Sequence, residues 1–160
     1  MGSFKFMGWR RTHFENTNTR LVHIRRLTFI FEIMEIIQTP HAPNPIGPYS
    51  QAVRHGQFLY ISGQIALDPL TGDLVGEHIK EETHQVMRNL AAILEAAGLG
   101  FHHVVKTSIF LSSMDHFGAV NAVYGSYFEN HFPARETVAV LGLPRGVHVE
   151  ISMIAAAEAS

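Results

Sequence analysis

The chain has 160 residues, 46% of them hydrophobic and only 16% charged, with a formal net charge of −2 and no cysteine. That length suffices for one domain with a real apolar core, and the composition argues against disorder. The missing thiols exclude disulfides, thiolate chemistry and thiolate metal sites; no apolar run approaches a membrane span, and no secretory h-region is visible.

The charge is unevenly placed. Residues 1–33 hold six Lys/Arg against two acids, Glu15 and Glu32, which leaves six basic and twelve acidic residues in a body at −6. Such a body repels a phosphate backbone, so no nucleic-acid partner is expected for it. The first 33 residues show neither a 3.6 nor a 2 periodicity. They read as an organelle-targeting segment, as upstream sequence attached by a wrong start codon or by an expression vector, or as a basic membrane or RNA arm. The second reading is favoured, because Met34 opens a self-contained segment. Residues 34–160 are then a single domain, expected in the cytoplasm, or in the mitochondrion if the extension is a targeting signal.

After Met34 the elements are legible in order. HAPNPIGPYS, from His41, is dense in Pro, Gly and Asn and reads as a loop. GQFLYISGQI contains a short strand, Phe58 to Ser62, ended by Gly63. A loop follows, with turn signals at Asp68-Pro69 and Thr71-Gly72-Asp73. EETHQVMRNLAAILEAAG is the clearest helix: Val86, Leu90, Ile93, Leu94 and Ala97 fall at helical spacing, acids occupy the first turn, and Gly98 stands at the C-terminal end. Val104 to Leu111 reads as a strand. A capping box from Ser112 to Asp115 opens a second helix to about Phe128. FPARETVAVLGLP supplies a third strand and GVHVEISMIAAA a fourth. In that last one Val147, Val149, Ile151 and Met153 alternate with His148, Glu150 and Ser152. The order predicts an α+β fold, a mixed sheet with both helices on one face. Low charge favours a second chain, rather than water, on the other face.

Few residues could carry chemistry. Arg135 follows Pro133 just ahead of a strand, and its planar fork suits a carboxylate; a surface arginine is the plain alternative. Glu150 sits on the polar face of an otherwise apolar strand, where a partly buried carboxylate holds a water, unless it simply faces solvent. Tyr49 lies in a loop stiffened by two prolines and a glycine. Ser62, Gly63 and Asn121 are small or polar groups near element ends or on a helix, each weak alone. The eleven histidines form no metal motif: there is no HExxH, His102 and His103 are adjacent, and His84 lacks an i+4 partner. No G-x-S-x-G elbow exists either, and Arg145 reads as a turn residue.

IGPYSQAV, LYISGQI, ILEAAGL, VVKTSIFL, FGAVNAVYGSYF, FPARETVAV and LPRGVHVEISMIA together resemble the reactive-intermediate deaminase family (RidA, YjgF/YER057c/UK114), from about Ile36 to Ala156. The resemblance implies a chorismate-mutase-like α+β homotrimer with sheets facing inward and three clefts between subunits. It implies hydrolysis of 2-aminoacrylate, 2-aminocrotonate and related imino acids, released by pyridoxal-phosphate-dependent dehydratases, to 2-oxo acids and ammonia. It puts the carboxylate-binding arginine on Arg135, the water-holding glutamate on Glu150 and the pocket tyrosine on Tyr49. Ser62, Gly63 and Asn121 fall on further substrate-binding positions. No metal or cofactor is called for, since an imine is already activated. Presence of the arginine places the chain in the active branch. Thr137 stands where some members carry a cysteine, which removes thiol chemistry but not deamination. Strand alternation directs Glu136 away from the pocket. The rival expectation is a non-enzymatic trimer that binds metabolites or other proteins through the same cleft.

Overall fold

The computed structural model describes residues 34–157. The extension at 1–33, and everything expected of it, lies outside the described residues. Six strands and two helices follow one another: β1 (Glu35–Ile37), β2 (Ala52–His55), β3 (Phe58–Gln64), α1 (Ile79–Ala96), β4 (Val104–Leu111), α2 (Phe117–Gly125), β5 (Ala134–Ala139) and β6 (Val149–Ala156). They build one sheet of order β1-β2-β3-β6-β4-β5. Only β4 and β5 run parallel, joined through α2; the other neighbours are antiparallel, so the sheet is mixed as predicted.

The core lies between one face of this sheet and the helices. α1 buries Val86, Leu90, Ile93 and Leu94 completely, which is the stripe its spacing predicts. Facing it are Leu59, Ile109, Leu111, Val149, Ile151 and Ala155. Gly98, at φ 71°, turns the chain after α1 in the left-handed conformation that helix ends favour. β6 alternates buried and half-buried along its whole length, with Val149, Ile151 and Met153 inward. The opposite face of the sheet carries no helix among the described residues. It exposes Ile36, Phe58, Tyr60 and Val138.

Four expectations need correction. The sheet has six strands, not four. β1 and β2 escape because they are short and flank a Pro/Gly-rich loop, yet β2 and β3 form a hairpin through Gly56-Gln57, with Gly56 at φ 58°. β3 does not end at Gly63 but runs on to Gln64, with an irregularity between Ile61 and Gln64 that admits the glycine. Ser113, not Ser112, makes the cap: its Oγ accepts from the Asp115 N–H at 3.1 Å and opens a single 3₁₀ turn before α2. Finally, α2 stops at Gly125 rather than Phe128. The next N–H groups bond three residues back, Ser126 to Val123 and Tyr127 to Tyr124, and this tighter turn swings Tyr127 and Phe128 against Phe101.

Candidate active site

Glu150 projects from β6 onto the helix-free face, since it pairs with Phe110 while the neighbouring Val149 and Ile151 are buried under the helices. Its carboxylate lies against Gly63. A Cβ built there would stand 1.9 Å from Oε1 and 3.0 Å from Cγ of Glu150, so any side chain at 63 must displace the carboxylate. Burial pushes the Glu150 carboxyl above its ordinary value, with no other cause at work. Beside it opens a cavity of about 260 Å³ lined by Asn44, Ile46, Tyr49, Ser62 and Gly63 among others.

Buried amides hold the cavity walls. Gln51, fully buried, accepts the Thr39 N–H at 2.7 Å and donates to the carbonyls of Thr39, Ala42 and Pro43 at 2.9–3.1 Å. It thereby pins the irregular stretch leading to Asn44. Asn89 of α1 donates to the Ile65 and Leu67 carbonyls at 3.1 and 3.0 Å and fixes the opposite wall. Ser62 spends its hydroxyl proton on the Ser50 carbonyl at 2.7 Å, locking the loop that carries Tyr49 onto β3. Tyr49 itself stays 47% exposed at the cavity rim.

Arg135 stands elsewhere. Its strand partner in β4 is Thr107, which is fully buried on the helix side, so Arg135 faces the helices and Glu150 faces away. The two charged residues emerge on opposite faces of one sheet. Within one chain they do not meet. Around Arg135, α2 presents Phe117, Asn121 and Tyr124, spaced i, i+4, i+7 along one helix face. Asn121 Oδ1 accepts from Nη1 at 2.8 Å, while the guanidinium carbon sits 5.1 Å from the Tyr124 ring centre and 5.8 Å from that of Phe117. Tyr124 in turn donates to Thr107 Oγ1 at 3.1 Å; burial raises its phenol, and the Thr107 bond and the Arg135 charge oppose that rise. The remaining edge of the guanidinium borders a depression walled by Asn121, Gly125, Phe132 and Pro133.

Asn121 therefore bonds the arginine. Phe117 and Tyr124 were missed in the sequence, although their spacing with Asn121 was there to be read. Gln51 and Asn89 were missed as well, since isolated amides carry no motif. Glu136 points onto the helix-free face, as alternation predicts, where Lys106 and Ser108 bond it and hold its carboxyl below the usual range. Thr137 shares the Arg135 face, and its buried hydroxyl has no partner among the described residues. Arg145 occupies a turn, with φ 57° and a bond to the Gly72 carbonyl at 2.9 Å.

The sequence model of the family described as Endoribonuclease L-PSP matches residues 39–157. The chain belongs to this family. Among its relatives, a mouse 2-iminobutanoate/2-iminopropanoate deaminase is 50% identical over 123 residues, covering 77% of this chain and 91% of that one. The human protein of the same name is 46% identical over 123 residues, 77% of this chain and 90% of its own. Among solved structures, E. coli TdcF with bound serine superposes with a TM-score of 0.74 at 35% identity, over 78% of this chain and 99% of that one.

Proposed function

We propose that this protein is a hydrolase that deaminates small 2-imino acids and their enamine tautomers to 2-oxo acids and ammonia, in the arginine-containing branch of its family. The observation that carries the reading is the cradle of Arg135: one Nη is occupied by Asn121, two rings fix the plane, and a free edge borders an open depression. A planar carboxylate is the ligand that matches such an edge with two parallel hydrogen bonds. The relatives named as iminobutanoate/iminopropanoate deaminases supply the reaction class.

The opposed placement of Arg135 and Glu150 implies that a cleft needs two copies. One contributes Glu150, Tyr49, Ser62 and Gly63; the other contributes Arg135 and Asn121. Burial of the helix-free face, with its exposed Ile36, Phe58, Tyr60 and Val138, would drive that association, and a chorismate-mutase-like homotrimer with three equivalent clefts satisfies both demands. In the cleft, the substrate carboxylate docks on Arg135 and the enamine passes to the imine. A water beside Glu150 loses a proton to the carboxylate as its oxygen attacks the imine carbon, and the C=N electron pair moves to nitrogen. That proton then goes to the nitrogen, giving a carbinolamine; Glu150 carries the hydroxyl proton to the same nitrogen as the C–N bond breaks and the C=O bond forms, leaving the 2-oxo acid and ammonia. A Glu150 carboxyl raised by burial is a better base for the first step.

The test is a coupled assay in which a pyridoxal-phosphate-dependent serine or threonine dehydratase generates the enamine. Release of ammonia and pyruvate should accelerate with this protein, equally with and without chelator. Unchanged rates across a tenfold range of folded protein would overturn the enzyme and leave the non-enzymatic metabolite-binding trimer.

A further inference from the structure

We propose that Glu82 is a positioning residue for this reaction: its buried carboxylate ties the first turn of α1 to the start of β6 and thereby sets where Glu150 stands. The inference rests on the reading of Glu150 as the water-holding base. Glu82 is only 6% exposed, an unusual state for a glutamate that must have partners to persist. Both of its oxygens have them. Oε1 accepts the backbone N–H groups of His148 at 2.7 Å and Val149 at 3.2 Å, and Oε2 meets His148 Nδ1 at 3.0 Å. These are the two residues immediately before Glu150.

The backbone there is in need of an anchor. The chain reaches β6 from a 3₁₀ turn in which Arg145 and Gly146 both have positive φ, so nothing regular precedes the strand. Glu150 depends on that backbone more than most side chains would. Within one chain burial raises its carboxyl, and no hydrogen bond among the described residues holds the side chain. The carboxylate is therefore placed by where β6 begins and by the vacancy of Cβ at Gly63. Glu82 shares control of the first with β4, whose Phe110 and Leu111 pair with Glu150 and Val149 and beyond which the Ser112 N–H bonds the His148 carbonyl at 3.0 Å. The loop also packs closely on this turn: a Cβ at Gly76 would lie 2.7 Å from the Glu82 backbone nitrogen, so a glycine is needed there.

The experiment compares Glu82→Ala and Glu82→Gln in the full chain. It reads kcat and KM in the coupled assay and, separately, the titration midpoint of the Glu150 carboxyl by ¹³C NMR, assigned with Glu150→Gln. For folded Glu82→Ala, kcat should fall about tenfold or more at little change in KM, the pattern of a misplaced group. The Glu150 midpoint should drop toward the ordinary carboxylate value as the side chain gains water. Glu82→Gln keeps an acceptor for both N–H groups but not for His148 Nδ1–H, so about a threefold loss and a smaller drop are expected. Wild-type kcat and midpoint in folded Glu82→Ala would overturn the proposal. Should that variant fail to fold, wild-type values for both in Glu82→Gln would overturn it equally, leaving Glu82 a folding residue. If the wild-type chain itself shows no turnover, the deaminase reading falls, while the titration still decides the role of Glu82.

Discussion

Arg135 and Glu150 are held in opposite ways. Side chains grip the arginine: Asn121 bonds one nitrogen and the rings of Tyr124 and Phe117 flank the plane. Backbone alone places the glutamate, through the start of β6 and the missing side chain of Gly63. The difference suits the roles proposed for the two groups. A permanent cation that recognises a planar anion gains from a fixed orientation and keeps its charge whatever touches it. A carboxylate that accepts a proton would lose basicity with every donor it bonded, because hydrogen bonds to the charged form lower its pKa. Half-buried and without a hydrogen-bond partner among the described residues, Glu150 has its carboxyl raised and stays basic.

Removing the gripped group should have the largest effect. Arg135→Ala is expected to cost about 30-fold or more in kcat/KM, from a desolvated charge-assisted pair of about 2–5 kcal/mol, with oligomer mass unchanged by light scattering. Arg135→Lys should rescue poorly, since a point charge loses the bidentate geometry. Near-wild-type turnover in folded Arg135→Ala would place the carboxylate clamp elsewhere.

Glu150→Gln should separate binding from chemistry. Pyruvate or 2-oxobutyrate should bind as before by calorimetry, while turnover falls about 100-fold, within the usual contribution of a general base. Wild-type turnover should decline as pH falls through the raised Glu150 pKa, because the base is then protonated. The stability sign is the reverse of an ion-paired acid. A carboxyl raised in the folded state binds its proton more tightly there, so it favours folding at low pH, and stability falls as pH rises from the unfolded to the folded pKa. Glu150→Gln should therefore leave Tm at neutral pH unchanged or slightly higher. A clear drop in Tm, or equal losses in affinity and rate, would make Glu150 a structural residue.

Gly63→Ala tests the backbone-placed half without removing either charge. The new methyl must push the Glu150 carboxylate aside, and about a tenfold loss of kcat is expected, with carboxylate binding intact. Full activity there would mean that the cleft tolerates a displaced carboxylate. Smallest of all should be the effect of starting the chain at Met34: the same oligomer mass and the same rate, because every residue assigned to the cleft is retained. A monomer from that shorter chain would make residues 1–33 part of the interface.

Much of this protein was legible in the sequence. The apolar stripe of α1 and the alternation of β6 are periodicities, and periodicity survives without coordinates because burial of one face demands it. The orientation of Glu136 away from Arg135 is likewise a local property of a single strand. Three things were not local. β1 and β2 are too short to display a period and exist because β3 offers them an edge. The side chains of Gln51, Asn89 and Glu82 bond backbone groups 8 to 67 positions away, and no spacing in the sequence announces such partners. The opposed faces of Arg135 and Glu150 were hidden for a different reason. Alternation orders the side chains within a strand, but the phase between two strands is set by register, and here β4 supplies it by pairing Thr107 with Arg135 and Phe110 with Glu150.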